Sequence, residues 1–184
     1  MGKMKEFVVY TDGGCSHNPG PGAWAFLIRY GERLYEDSGF EAETTNNRME
    51  LMAVIRALDF LQGLRANYAS HAPATGLPSP ELENKPSSDP KPAGLPSWFF
   101  APVSIYTDSQ YVRNGITKWI EGWKARGWHT ADKKPVKNQE LWETLDSLVQ
   151  ILHPRFFWVE GHAGNPDNER CDTLVRSLIR SKAP

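Results

Sequence analysis

Cysteine is nearly absent from this 184-residue chain, which has only Cys15 and Cys171. Neither belongs to a pair of closely spaced ligands of the kind zinc sites use, so reduced thiols are expected. No apolar run approaches the roughly 18 residues that a membrane span needs, so no span is predicted. Charge is balanced as well, with a formal net charge of -1. The overall basic excess common in nucleic-acid-binding domains is missing, and charge has to be read locally. Proline is sparse except in one stretch, residues 66–102, which holds eight of the fourteen.

What is present reads as one globular unit spanning 1–184, since domains commonly run to about 100–200 residues. The segment from Met1 to Tyr10 passes straight into a strand-like pattern and leaves no space for a secretory signal, so a cytoplasmic location is expected. Phe7, Val9 and Thr11 alternate with Val8 and Tyr10, predicting a strand that ends at Asp12, where Gly13 and Gly14 follow. Strand candidates at 23–29 and 33–40 flank Tyr30-Gly31-Glu32, a connection short enough for an antiparallel hairpin.

From Asn46 the apolar period becomes helical, with Met49, Met52, Ala53, Leu58, Leu61 and Leu64 on one stripe and Thr44 to Asn47 marking its start. The proline-rich stretch 66–102 then reads as a flexible insertion. Its apolar end, Leu95-Pro-Ser-Trp-Phe-Phe100, predicts docking on the protein's own surface. A strand over 103–107 stops at Asp108-Ser109, and helical segments are expected at 110–116, 118–124 and 139–152. A last strand at 155–160 and a helix carrying Cys171, Leu174, Val175, Leu178 and Ile179 close the chain. The class is α/β, with a mixed sheet whose first three strands are antiparallel.

Four acids fall at informative places: Asp12 and Asp108 at strand ends, Glu50 early in the first long helix and Asp172 early in the last. Strand carboxyl ends are where α/β proteins usually build sites. Each acid alone could be a turn former, a cap or a solvated side chain. Carboxylates brought together repel one another, and a hard divalent cation with a preference for oxygen relieves that repulsion. A separate feature is the segment 118–137, where six cations face two anions, a formal charge of +4, and Trp119, Trp123 and Trp128 are interleaved with them. That mixture suits phosphate contact, although part of the tryptophan set fits core packing equally well.

The neighbours of the acids settle the reading. Tyr10-Thr-Asp-Gly-Gly-Cys15, Asn18-Pro-Gly-Pro-Gly22, Thr44-Thr-Asn-Asn-Arg-Met-Glu-Leu51, Thr107-Asp-Ser-Gln-Tyr-Val112, and Gly161-His-Ala-Gly164 with Asn168-Glu-Arg-Cys-Asp172 resemble the type 1 ribonuclease H family, in the family's order. The resemblance covers nearly all of the chain except the proline-rich insertion. It implies a five-stranded mixed sheet with helices on both faces, and an endonuclease that hydrolyses the RNA strand of RNA–DNA hybrids. It further implies Asp12, Glu50, Asp108 and Asp172 as ligands for two Mg²⁺ ions, with Mn²⁺ as a substitute, and products bearing a 5′-phosphate and a 3′-hydroxyl. His162 becomes a proton shuttle or an aid to product release. Substrate contacts fall on Cys15, Asn18, Thr45, Asn46, Asn47, Gln110 and Asn168, with Trp119, Trp123, Lys124, Arg126, Trp128, Lys133, Lys134 and Lys137 in the family's basic protrusion. The implied partner is the hybrid, bound by a monomer away from any membrane.

Overall fold

The computed structural model of the protein describes residues 5–71, 95–161 and 164–182. Three antiparallel strands come first, β1 (Phe7–Cys15), β2 (Gly20–Tyr30) and β3 (Arg33–Thr44), followed by helix α1 (Asn46–His71). After a short 3₁₀ turn, Ser97–Phe100, strand β4 (Val103–Thr107) leads into α2 (Gln110–Asn114), a π-helical turn (Gly115–Trp119), α3 (Ile120–Ala125) and α4 (Gln139–Leu152). Strand β5 (Arg155–Trp158) and helix α5 (Pro166–Lys182) complete the chain. The sheet order is β3-β2-β1-β4-β5. β4 runs parallel to β1 and β5 parallel to β4, so the sheet is mixed as expected.

Period-two alternation along β2 explains why helices cover both faces. Trp24, Phe26 and Ile28 join the main core with residues of α1 and α4, while Ala23, Ala25 and Leu27 face Cys171 and Val175 of α5. α4 contributes Leu141, Trp142, Leu145, Leu148 and Leu152 to the main core, the stripe its sequence period predicts.

Several boundaries differ from the sequence-based expectation, each for a physical reason. β1 does not end at Asp12 but continues to Cys15, pairing Gly13 with Trp24 and Gly14 with Ala23. Glycine is a poor strand former, yet here its missing side chain is what the packing requires. A Cβ on Gly13 would lie 2.2 Å from the backbone nitrogen of Glu50, and one on Gly14 would lie 2.9 Å from Val175 Cγ1. The two glycines therefore let α1 and α5 close onto opposite faces of the same strand. β5 is two residues shorter than expected and ends at Trp158.

α1 continues to His71, beyond the position where the insertion was expected to begin. Residues 72–94, the middle of that insertion, lie outside the described residues. At its far end Trp98 meets Tyr68 of α1 edge-on at 5.3 Å and packs against the main core. The Arg65 guanidinium donates to the Ala101 carbonyl at 2.8 Å, so the returning chain does dock on the protein's own surface. The helical stretch after Asp108 is one run rather than two, because its π turn sets Gly115 against the Trp142 indole, where a Cβ would come within 2.0 Å.

Candidate active site

β1 and β4 lie side by side in parallel, with Thr11 opposite Thr107, so Asp12 and Asp108 follow one another across the rim of the sheet. α1 starts beside them. The Thr45 side chain accepts from the Arg48 N–H at 3.4 Å and its carbonyl accepts from Met49 N–H at 3.1 Å, which fixes the first turn. Glu50 sits on that turn, against Gly13. The result is a compact acidic set: one carboxylate oxygen from each of Asp12, Glu50 and Asp108 lies within 4.8 Å of the others.

The electrostatics of this set are unfavourable without a cation. Burial pushes the Asp12 carboxyl up to about 7, with further upward pressure from Asp108 and Asp172, opposed by a hydrogen bond from the Gly13 backbone and by Arg176. Burial, then Asp12 and Asp108, also hold Glu50 well above the usual carboxylate range. Glu50 is 7% exposed, and its Oε2 has no hydrogen-bond partner. An unsatisfied buried acceptor costs about 1–3 kcal/mol, so an oxygen of this kind is suited to coordinate a cation. Three carboxylate oxygens within common reach are the donor type that hard divalent cations take. The acidic set can therefore hold a metal ion.

Asp172 stands beside this set and outside it. Its carboxylate acts on Asp12 electrostatically, yet it is held by Arg176, whose Nε lies 2.8 Å from Asp172 Oδ1. His162 lies outside the described residues. The chain just before it does approach the site, since a Cβ on Gly161 would come 2.9 Å from Asp108 Oδ2. The Trp158 indole N–H also donates to the Asp108 carbonyl at 3.2 Å.

The structure gathers one group of expected contact residues at the end of β1 and the start of α1. The Cys15 thiol donates to the Gly20 carbonyl at 3.2 Å and to that of Thr44 at 3.4 Å. Asn18 Oδ1 accepts from the Asn46 N–H at 3.4 Å. Thr45, Asn46 and Asn47 are thereby drawn to the same rim as Cys15 and Asn18. Gln110 opens α2, exposed, two residues beyond Asp108. Asn168 is placed differently: it is buried in the first turn of α5, its Oδ1 unpartnered.

The basic segment forms α3 and the loop leading to α4. Trp119 is 39% exposed, whereas Trp123 is buried edge-on against Trp142 at 5.3 Å. Trp123 is thus a core residue and not a surface contact, because α3 seats on α4 through the Trp123–Trp142 ring contact. Trp128 packs partly against the same core. Lys124 pairs with Asp146 at 2.9 Å and Glu121 at 3.3 Å, so its charge is partly committed. The Arg126 guanidinium donates to the His129 carbonyl at 3.1 Å and shapes the turn. Lys133, Lys134 and Lys137 stand exposed on the loop.

Sequence reasoning missed two groups. Asn138 adopts a left-handed backbone (φ 58) at the start of α4, with its side chain between Tyr111 and Arg48. Arg176 was legible as a cation four residues after Asp172, the spacing of a helical ion pair.

Among known proteins, the solved structures that resemble this chain share its architecture. A type 1 RNase H with the type 2 active-site motif superposes with a TM-score of 0.67 at 25% identity, over 98% of this chain and 75% of that one. The RNase H1 named LC11, solved in complex with an RNA/DNA hybrid, gives 0.59 at 22% identity, covering 96% and 98% respectively. Fold and acidic rim together define a ribonuclease H-like protein. At the level of sequence, the RNase H family model matches residues 4–69 and 95–180. Ribonuclease H of Bradyrhizobium diazoefficiens is 45% identical over 179 residues, 97% of this chain and 93% of that protein. Ribonuclease H of Treponema denticola is 46% identical over 170 residues, 91% and 92% of the two chains. The chain belongs to the ribonuclease H family and is a ribonuclease H enzyme. No helix among the described residues is long and apolar enough to cross a membrane.

Proposed function

We propose that the protein is an endonuclease that hydrolyses the RNA strand of RNA–DNA hybrids by two-metal-ion catalysis and leaves 5′-phosphate and 3′-hydroxyl ends. The observation that carries the reading is the buried, unpartnered Glu50 oxygen among three mutually repelling carboxylates in a ribonuclease H family member. Asp12, Glu50, Asp108 and Asp172 are the residues that would hold the cations, Mg²⁺ by preference and Mn²⁺ as a substitute. Bound divalent cations supply polarisation of the phosphoryl group and stabilisation of the departing oxygen's charge.

The remaining work belongs to the chain's own side chains. Cys15, Asn18, Asn46, Asn47 and Gln110 offer polar groups beside the carboxylates, suited to detecting a 2′-hydroxyl, which both donates and accepts and is absent from DNA. Thr45 would help hold a DNA phosphate. Trp119, Lys133, Lys134 and Lys137 present exposed aromatic and cationic surface to the backbone of the duplex, a contact that fixes register without reading sequence. His162 would move a proton near the attacking water, a task suited to a side chain that titrates near neutrality. The protein would act as a monomer in the cytoplasm.

The test is a panel of labelled substrates in Mg²⁺: hybrid, single-stranded RNA, duplex RNA and duplex DNA. Scission confined to the hybrid's RNA strand is the expected result. Equal cutting of duplex DNA contradicts the proposal.

A further inference from the structure

Asp172 carries an ion pair within its own helix. Arg176 lies one helical turn further along α5, its Nε 2.8 Å from Asp172 Oδ1. The guanidinium is also close enough to the acidic set to lower the Asp12 pKa against the upward push of Asp172. It remains charged at any ordinary pH, so protonation chemistry cannot release its partner.

Nor can α5 carry Asp172 inward by moving as a body. Arg29 of β2 forks onto Asp167 through bonds of 2.6 and 2.7 Å, and Arg170 forks onto Glu36 of β3 through bonds of 3.0 and 2.7 Å. Cys171 and Val175, on either side of the Asp172 turn, are buried under β2. The helix is fastened at both ends of its first turns, so Asp172 can join the other carboxylates only by turning its side chain away from Arg176.

We propose that Arg176 is a positioning residue that holds Asp172 apart from Asp12, Glu50 and Asp108 until a divalent cation displaces its guanidinium. A first cation then meets three carboxylates already in place, and engagement of the fourth is the later, weaker step. The inference rests on the metal-dependent reading given above.

The experiment is a calorimetric titration of the full chain with Mn²⁺ alone, comparing wild type, Arg176→Gln, Asp172→Asn and the double variant. Exposed ion pairs are worth about 0.2–1 kcal/mol, so Arg176→Gln is expected to tighten Mn²⁺ binding by about 1.4- to fivefold. In the Asp172→Asn background the same substitution is expected to change nothing, because the carboxylate it releases is gone. Arg176→Gln should melt within a few degrees of wild type, since Arg176 is exposed and the pair it loses is worth at most about 1 kcal/mol. Two results overturn the proposal: no tightening in Arg176→Gln, or equal tightening in both backgrounds, which is the signature of a lost positive charge acting at large. Absence of any Mn²⁺ binding by wild type would instead bring down the metal-dependent reading itself, a different failure.

Discussion

Asp12→Asn is expected to abolish RNA cleavage while making the metal-free protein more stable at pH 8. The loss of activity follows from the residue's place in the acidic set. Bound metal contributes several kcal/mol of transition-state stabilisation, and each 1.36 kcal/mol is tenfold in rate, so a loss of roughly 10³-fold or more is predicted. The gain in stability follows from the raised pKa. In the unfolded chain Asp12 ionises near the ordinary aspartate value of 3.8, and in the folded protein only near 7.

Between those values the folded state binds the extra proton, so folding stability falls as pH rises from about 4 to about 7 and stays low above it. At ~1.4 kcal/mol per unit, asparagine is expected to recover about 2–4 kcal/mol at pH 8 and almost nothing at pH 3. For a domain of this size that is a rise in Tm of roughly 5–15 °C at the higher pH. Thermal melts of both proteins across pH, in chelator, check the prediction. A wild type equally stable at pH 4 and pH 8, or a mutant less stable at pH 8, would show that the acidic set carries no such strain.

Gly13→Ala is the second large effect and has the opposite sign. The added Cβ would meet three backbone atoms of α1: Glu50 N at 2.2 Å, Met49 C at 2.3 Å and Met49 O at 2.6 Å. No rotamer relieves a clash with backbone, so α1 must lift from β1. Overpacking ordinarily costs about 1–3 kcal/mol, and a rigid neighbour puts this case at or beyond the upper end. Because the lifted turn carries Glu50, activity is expected to fall with stability.

Gly63, in the interior of α1, gives the internal control. A Cβ there meets nothing within 4 Å, and alanine is favoured over glycine in a helix by about 1 kcal/mol, so Gly63→Ala is expected to stabilise. Urea unfolding of the two variants side by side reads both signs. A Gly13→Ala protein as stable as wild type would mean that β1 and α1 are not in the close contact described.

The same glycines mark where the sequence could and could not be read. The acids, the helix start at Thr44 to Asn47 and the antiparallel run of the first three strands were all legible, because cap chemistry, loop length and apolar period are local signals. The passage of β1 through Gly13 and Gly14 was not, since local propensity argues for a break and only the helices pressing from both faces explain the continuation. Tertiary packing likewise sends Trp123 into the core while Trp119, four residues earlier, stays at the surface. The family resemblance placed all four carboxylates in one ligand set. The structure brings three together and leaves Asp172 with Arg176: the i,i+4 spacing offers that pair, but which partner Asp172 takes is decided by side-chain rotation.

In the proposed function, cations held by this acidic rim are required to cut RNA. A single-turnover measurement with a labelled hybrid tests that directly: enzyme stripped in chelator, then supplied with Mg²⁺. The predicted result is no cleavage in chelator and full recovery on adding Mg²⁺, with the new ends being a 5′-phosphate and a 3′-hydroxyl. Undiminished cleavage in chelator would contradict it.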